Sequence, residues 1–231
     1  MRGRTCGPDR LAFSDVGGGE SVTSERVRAQ PVPDPDNLYG VREERLLTGA
    51  TVITAVRTIA SVVLAALAAH QESLTLLVVA LGVYWLGDML DGFYARVRDC
   101  ETRIGAVLDI LCDRLNAAAF YIGLAWLQPD LSPAIFVYLA EFMVVDCFLS
   151  IAFLAWPVRS PNYFFVIDRP IWLWNWSKPA KAVNSALFAV LLLVTGWMWV
   201  GLAIATALLV LKCVSLHRLV RIGLPVPGAR A

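Results

Sequence analysis

The sequence predicts an all-α integral membrane protein with six transmembrane helices and with both termini in the cytoplasm. Composition is the first observation behind this prediction, because 58% of the 231 residues are hydrophobic, 17% are charged and the mean hydropathy is +0.62. An ordinary soluble domain has a larger charged fraction. The second observation is that the apolar residues fall into stretches of about 20, the length of helix that crosses a bilayer.

Each predicted span is an apolar stretch between polar turns. The first four are expected at about residues 50–69, 74–98, 104–127 and 133–156. Between Lys181 and Lys212 the chain carries no charge. As one helix this stretch would be about 45 Å long, too long for a single straight span. We therefore expect it to fold back near Thr195 and Gly196 and to form the fifth and sixth spans.

The distribution of Arg and Lys predicts the orientation. The three predicted outer turns, at residues 69–73, 128–132 and 195–200, contain neither residue. The opposite side carries Arg42, Arg45, Arg96, Arg98, Arg103, Arg159, Arg169, Lys178, Lys181, Lys212, Arg218 and Arg221. Because short cytoplasmic loops collect Lys and Arg, this side is expected to face the cytoplasm from the plasma membrane. The net charge of +1 gives no indication of a nucleic-acid partner.

Polar segments flank the predicted membrane domain. Residues 1–37 are rich in Arg, Gly, Ser, Asp and Pro and lack the apolar core of a secretory signal, so a disordered cytoplasmic tail is expected. The membrane domain follows at 38–221, with a short tail at 222–231. Residues 157–179 are expected to form an interfacial elbow that anchors the chain or shapes access for a lipid. Tryptophans suit aromatic belts at both boundaries: Trp126, Trp197 and Trp199 outside, and Trp156, Trp172, Trp174 and Trp176 inside.

Four aspartates mark the hairpin of the second and third spans. They are Asp88, Asp91, Asp109 and Asp113. Spacings of three and four residues place each pair on one helix face, and the two pairs lie at matching distances from Cys100 in the turn. Several carboxylates are stable together only if cations neutralise them, and oxygen ligands without His or Cys suit Mg²⁺ or Mn²⁺. Two such ions would match four carboxylates in charge.

Small and basic residues beside the aspartates indicate a phosphate ligand. Gly92 and Gly105 lie on or next to the acidic faces, where a missing side chain lets a ligand approach. Arg96, four residues after Gly92, can fork onto phosphate oxygens. The combination suits a membrane-anchored diphosphate. With only His70 and His217 in the chain, catalysis is expected to rest on carboxylates.

The whole hairpin carries one continuous pattern. It reads Asp88-x-x-Asp91-Gly92-x-x-Ala95-Arg96, then eight residues, then Gly105-x-x-x-Asp109-x-x-x-Asp113. This pattern resembles the signature of the CDP-alcohol phosphotransferase family at every defining position. The six-helix hydropathy extends the resemblance to about residues 50–216.

The resemblance implies a role for each residue of the motif. Asp88, Asp91 and Asp109 would be metal ligands, and Asp113 would be both a ligand and the base that deprotonates the acceptor hydroxyl. The substrate-binding set would comprise Gly92, Ala95, Arg96, Thr102 and Gly105, with Thr51 and Thr54 as candidates from the first helix. The implied reaction moves a phosphatidyl group from CDP-diacylglycerol to a small polar alcohol and releases CMP. The resemblance also implies that homodimers are common among relatives.

Three acceptors remain open from the sequence. Glycerol 3-phosphate leads, because residues 177–184 are loosely similar to a segment of phosphatidylglycerolphosphate synthases. Inositol phosphate is close behind, because residues 105–114 resemble phosphatidylinositol phosphate synthases. Phosphatidylglycerol, as in a cardiolipin synthase, is the third. The candidate contacts to an acceptor phosphate are Arg57, Arg159, Lys178 and Lys181.

Two alternatives accompany this interpretation. Arg57 either touches a phosphate or pairs with an acidic neighbour such as Asp146. A divalent-cation transporter is the alternative from another functional class, although transport favours polar groups spread through the membrane rather than one cluster.

Overall fold

Six long helices make up most of the described protein. The computed structural model describes residues 44 and 46–225. The six helices that are long and apolar enough to cross a membrane are α1 (Gly49–His70), α2 (Leu74–Val97), α3 (Arg103–Leu127), α4 (Pro129–Ala155), α5 (Lys178–Thr195) and α6 (Met198–Ile222). The predicted all-α architecture with six spans is confirmed. The predicted N-terminal tail, and residues 226–231 of the C-terminal one, lie outside the described residues.

Side-chain caps fix where the first three helices begin. Thr48 and Thr51 form a reciprocal capping box at α1, and Ser73 and Thr102 accept backbone N–H groups at the starts of α2 and α3. Each cap satisfies amide groups that have no partner within the helix. Between α5 and α6 the chain reverses at Gly196, whose φ of 61° is accessible to glycine without strain. The predicted fold-back at this point is confirmed.

The turn of residues 98–102 between α2 and α3 marks one end of the helix bundle, called the turn side below. Glu44, which precedes α1, accepts the backbone N–H groups of Arg103 and Ile104 at 2.8 Å each. The Arg103 guanidinium reaches the carbonyl of Leu154 near the end of α4. The start of α1, the start of α3 and the end of α4 therefore meet on the turn side.

Helix α1 turns a polar stripe inward and its large apolar residues outward. Its buried residues are Thr51, Thr54, Arg57, Thr58, Ser61, Ala65 and Ala68. Val52, Val56 and Ile59 are exposed. Lipid rather than water can cover such an apolar surface, while small hydroxyl and alanine side chains let α2 and α3 pack closely on the other face. Arg57 belongs to this stripe and is therefore buried against the neighbouring helices.

Helix α4 is irregular at its middle. Residues Glu141–Asp146 form a π-helical turn between two α-helical pieces. A wider turn brings residues five apart toward one face, and Glu141 and Asp146 are both buried. The irregularity therefore places two acidic groups inside the bundle.

The elbow between α4 and α5 folds into a small core of its own. It contains a 3₁₀ segment, Pro161–Val166, and a short helix, Arg169–Asn175, called the elbow helix. Phe164 is fully buried, and its ring lies 5.0 Å from that of Trp176. Trp176 thus packs inward, and its predicted place in the inner aromatic belt is wrong. Trp126, Trp197 and Trp199 are exposed near the other end of the bundle, as expected of a belt.

Candidate metal and active site

The antiparallel helices α2 and α3 bring the carboxylates of the hairpin to one place. Oxygen atoms of Asp88, Asp91 and Asp109 lie within 4.8 Å of one another. Asp91 is buried, whereas the side chains of Asp88 and Asp109 are 44% and 41% exposed. The cluster therefore has a closed side, formed by Asp91, and an accessible side where a ligand can enter.

Arg57 of α1 lies among the four aspartates. Its Nε donates to Asp91 Oδ2 at 2.7 Å. Its Nη2 donates to Asp109 Oδ1 at 2.6 Å and to Asp113 Oδ1 at 3.0 Å, and lies 3.3 Å from Asp88 Oδ1. One guanidinium thus contacts one oxygen of every carboxylate in the cluster.

Neighbouring residues hold Arg57 in this position. Thr54 donates its hydroxyl to Asp91 Oδ2 at 2.7 Å, which fixes the carboxylate that receives Nε. Gly87 gives the arginine stem its space, since an added Cβ there would lie 2.5 Å from Arg57 Cβ and 2.7 Å from Cδ. The Tyr84 ring lies 5.5 Å from the guanidinium carbon, within the range of a cation–π contact.

Arg57 pairs with acidic neighbours, as one of the two alternatives predicted, but Asp146, the example given for them, is wrong. Asp146 instead pairs with Arg114 of α3 and with Lys212 of α6. Arg57 and Arg114 are both buried. Each of them pairs with carboxylates on helices that pack against its own helix.

The donor set of the cluster fits a hard divalent cation. All candidate ligands are carboxylate oxygens, and the residues that would hold an ion are Asp88, Asp91 and Asp109. Arg57 engages one oxygen of each aspartate, and within the described residues the other oxygen of each accepts no hydrogen bond. Ligand atoms therefore remain available even with the guanidinium in place.

Predicted donor-binding residues lie between the cluster and the turn side. Arg96 folds over Gly92, since a Cβ at Gly92 would lie 3.2 Å from Arg96 Nη1. The Arg96 side chain is exposed and free to meet a phosphate. Ala95, one residue earlier, is half-buried on the same helix. This geometry leaves an open surface on α2 beside the aspartates.

The starts of α1 and α3 form the opposite wall. Thr102 accepts the Gly105 N–H at 3.0 Å, and a Cβ at Gly105 would lie 2.7 Å from that hydroxyl and 3.6 Å from Thr51 Cγ2. Thr51 itself donates to the carbonyls of Leu46 and Thr48. Within the described residues Thr51 therefore caps its own helix, and Thr54 supports Asp91.

The elbow carries the predicted acceptor cations. Lys178 and Lys181 are exposed at the start of α5, and Lys181 Nζ donates to Asn162 Oδ1 at 2.6 Å. Arg159 is buried and lies 3.6 Å from Asp99 Oδ1 in the α2–α3 turn. These contacts tie the elbow to the turn side. The same region holds Tyr163, where burial and the hydrogen bond to Glu101 raise the pKa of the phenol, so that it remains protonated.

A second charged cluster lies inside the bundle and was not predicted. Asp146 receives Lys212 Nζ at 2.5 Å and also contacts Arg114. Lys212 also donates to Asn175 Oδ1 of the elbow helix at 2.9 Å. Lys212, expected at the charged end of the last span, is buried in the middle of α6, so that expectation is wrong. Its signal in the sequence was an isolated cation with apolar residues on either side, ten residues before the helix ends at Ile222.

Comparisons with known proteins agree with the geometry of the hairpin. The chain matches the family described as CDP-alcohol phosphatidyltransferase over residues 47–214. It is 50% identical over 48 residues to a phosphatidylinositol phosphate synthase of Mycolicibacterium smegmatis, and 56% identical over 41 residues to one of Mycobacterium tuberculosis.

These local matches are short. They cover 21% and 18% of this chain, and 22% and 19% of the two relatives. The chain thus spans about a fifth of the length of the curated relatives that it matches. No solved structure matches the chain. The family match covers most of the chain and includes all six helices at least in part, so the chain belongs to the CDP-alcohol phosphatidyltransferase family.

Proposed function

We propose that this protein transfers the phosphatidyl group of CDP-diacylglycerol to inositol phosphate and releases CMP. The observation that carries the transfer reaction is the gathering of four carboxylates on α2 and α3 beside Gly92 and Arg96, in a chain of this family. The acceptor rests on the relatives, which are named phosphatidylinositol phosphate synthases. Glycerol 3-phosphate, the leading acceptor from the sequence, receives no such support.

The reaction is a displacement at the phosphorus that carries diacylglycerol. A hydroxyl oxygen of the acceptor forms a new P–O bond, and the bond from that phosphorus to the bridging oxygen of CMP breaks. Asp113 accepts the hydroxyl proton, and its hydrogen bond from Arg57 holds the carboxylate in place for that transfer. The products are CMP and a lipid with a phosphodiester linkage.

The remaining residues bind and orient the donor. Arg96 pairs with phosphate oxygens over Gly92, which leaves room for them to approach α2. Ala95, Thr102 and Gly105 line the space toward the turn side. A divalent ion, Mg²⁺ or Mn²⁺, held by Asp88, Asp91 and Asp109 would neutralise phosphate charge when bound.

The site is proposed to open to the cytoplasm. Cations are concentrated on the turn side, and the predicted outer turns contain no Lys or Arg. We also propose that the protein lies in a bacterial-type plasma membrane and that it forms a homodimer. The elbow cations Arg159, Lys178 and Lys181 are then on the side from which a soluble, phosphorylated alcohol arrives.

An acceptor panel tests this function. Purified protein in CDP-diacylglycerol vesicles with Mg²⁺ receives, separately, inositol phosphate, glycerol 3-phosphate, inositol, serine or phosphatidylglycerol. Mass spectrometry then identifies the lipid product. We expect phosphatidylinositol phosphate as the main product. Faster formation of phosphatidylglycerolphosphate would reverse the choice of acceptor, and no new lipid with any alcohol would refute the transferase reaction.

A paired variant gives this test a second readout. Changing both Lys178 and Lys181 to Gln is expected to raise KM for inositol phosphate roughly tenfold or more, since a charged hydrogen bond contributes about 1.5–3 kcal/mol. KM for CDP-diacylglycerol should remain unchanged. Arg221→Gln, which removes an exposed cation at the end of α6, is the matched control. An unchanged KM for the acceptor would remove the two lysines from the site.

A further inference from the structure

Lys212 of α6 is a buried cation whose partners lie on two different segments of the fold. Its Nζ contacts Asp146 Oδ1 of α4 at 2.5 Å and donates to Asn175 Oδ1 of the elbow helix at 2.9 Å. The lysine is 2% exposed, so its ammonium is shielded from soluble ligands. Any effect of Lys212 on the reaction must therefore pass through the groups that it holds.

Asn175, the last residue of the elbow helix, is held by α6 at two points. Besides accepting from Lys212, it donates through Nδ2 to Ser215 Oγ at 2.9 Å and to the Ile171 carbonyl at 2.8 Å. Asn175 and Ser215 are both buried. Lys212 and Ser215 are three residues apart and share one face of α6. This face therefore satisfies both polar atoms of the Asn175 amide.

The lysines proposed to bind the acceptor follow this anchor directly. Lys178 comes three residues after Asn175, and Lys181 comes six residues after it. Ser177 joins the two helices, because its hydroxyl donates to a carbonyl of the elbow helix at 2.7 Å and accepts a backbone N–H of α5 at 3.3 Å. The start of α5 is thus tied to the end of the elbow helix.

Apolar packing alone does not fix the elbow helix in one orientation. Ile171 and Phe164 are fully buried in the elbow core, but apolar burial is non-directional. A buried amide and a buried ammonium, in contrast, satisfy each other in only one arrangement, and a displaced helix would leave both without that partner. The contact between Lys212 and Asn175 therefore sets the position of the elbow helix and of the segment that follows it.

We propose that Lys212 is a positioning residue for the acceptor. Held by Asp146, it fixes Asn175 and thereby the start of α5, where Lys178 and Lys181 meet the acceptor phosphate. The inference rests on the proposed function, since it needs an acceptor that these two lysines bind. It links the charged cluster inside the bundle to substrate binding and predicts an effect on the acceptor without one on the donor.

Lys212→Met tests the proposal, because it removes the ammonium, keeps an unbranched side chain and leaves Asp146 paired with Arg114. We expect KM for inositol phosphate to rise roughly two- to tenfold, the effect of about one hydrogen bond, with KM for CDP-diacylglycerol unchanged. Loss of folded protein alone would lower kcat and leave both KM values as they are. Ser61→Ala, which removes a buried hydrogen bond between α1 and α2, is the control and should keep both KM values.

Asn175→Leu breaks the same link from the elbow side and leaves Lys212 paired with Asp146. It should raise KM for inositol phosphate to a similar extent, and it decides the question if Lys212→Met does not fold. In protein that already carries Lys178→Gln and Lys181→Gln, Lys212→Met should raise this KM little further, because the groups that it positions are gone. A rise by the full factor in that background would overturn the proposal.

Hydrogen–deuterium exchange gives a readout that does not depend on turnover. The backbone N–H groups of Trp176, Ser177 and Lys181 are hydrogen-bonded at the junction of the elbow helix and α5. In Lys212→Met we expect them to exchange roughly tenfold faster or more. Unchanged exchange, or faster exchange with an unchanged KM for inositol phosphate, would overturn the proposal. No lipid product from the wild type would refute the proposed function and the acceptor role with it, while the exchange rates would still decide whether Lys212 fixes the elbow.

Discussion

Asp113→Asn is expected to reduce CMP release by roughly 10²–10⁴-fold, the usual contribution of a positioned general base. An amide has nearly the same shape as the carboxylate, and its oxygen can still accept from Arg57 Nη2, which lies 3.0 Å from Asp113 Oδ1. It cannot take the proton of an acceptor hydroxyl. The variant should therefore insert and fold like the wild type and fail in the chemical step. Initial rates of CMP release at saturating substrates measure the loss.

Asp130→Asn is the matched control for this prediction. It makes the same chemical change at an exposed aspartate in the first turn of α4, away from the hairpin turn. Its rate should equal that of the wild type. Normal CMP release by a folded Asp113→Asn protein would remove Asp113 from the role of base and would leave the other three aspartates as the site.

Asp146→Asn is expected to lower the free energy of unfolding by about 3–5 kcal/mol, the cost of leaving buried charges without their partner. Asp146 is the common partner of Arg114 and Lys212, and all three residues are buried. Neutral asparagine would leave both cations inside the bundle without the carboxylate that they contact directly. Reversible unfolding in mild detergent, followed by circular dichroism, measures the difference.

Asp168→Asn is the comparison variant, because it removes a peripheral ion pair instead of a buried one. Asp168 pairs with Arg218, whose side chain is 44% exposed, and asparagine can still cap the elbow helix. The expected loss is below about 1 kcal/mol.

Adding Lys212→Met to Asp146→Asn should restore part of the lost stability, because one uncompensated cation is removed. A small loss in Asp146→Asn, similar to that in Asp168→Asn, would show that the interior cluster does not stabilise the bundle.

The spans and the hairpin were predictable because their signals are local. Apolar length sets the number of helices, and a reversal at Gly196 follows from a stretch too long for one span. The positions of the four aspartates follow from helical spacing and from their distances to one turn. No knowledge of the neighbouring helices is needed for either prediction.

The partners of buried charges were not predictable in the same way. Arg57 is isolated in its span and Asp146 shares α4 with buried Glu141. Which carboxylate meets which cation depends on how α1, α2, α3, α4 and α6 pack. The rule that Lys and Arg collect in cytoplasmic loops treats Lys212 like Arg218, although only the first is buried. The polar spacing of Thr51, Thr54, Arg57 and Ser61 was the local signal for the inward face of α1.

The assignment of Trp176 to the inner aromatic belt failed for a related reason. A belt is assigned from the positions of tryptophans along the chain, but the elbow folds onto the bundle and buries Trp176 against Phe164. The identity of the acceptor could not be predicted from the hairpin motif either, because its candidate contacts, Lys178 and Lys181, lie at the elbow end of α5. The proposed acceptor therefore rests on local likeness to named relatives.

The most direct test of the account is whether CMP release requires both a divalent cation and an acceptor alcohol. Wild-type protein in CDP-diacylglycerol vesicles is assayed with Mg²⁺ or with EDTA, and with or without inositol phosphate. We predict release only when Mg²⁺ and inositol phosphate are both present, with recovery when Mg²⁺ is restored after EDTA. Equal release in EDTA, or release that does not depend on any alcohol, would contradict metal-assisted transfer by the aspartate cluster.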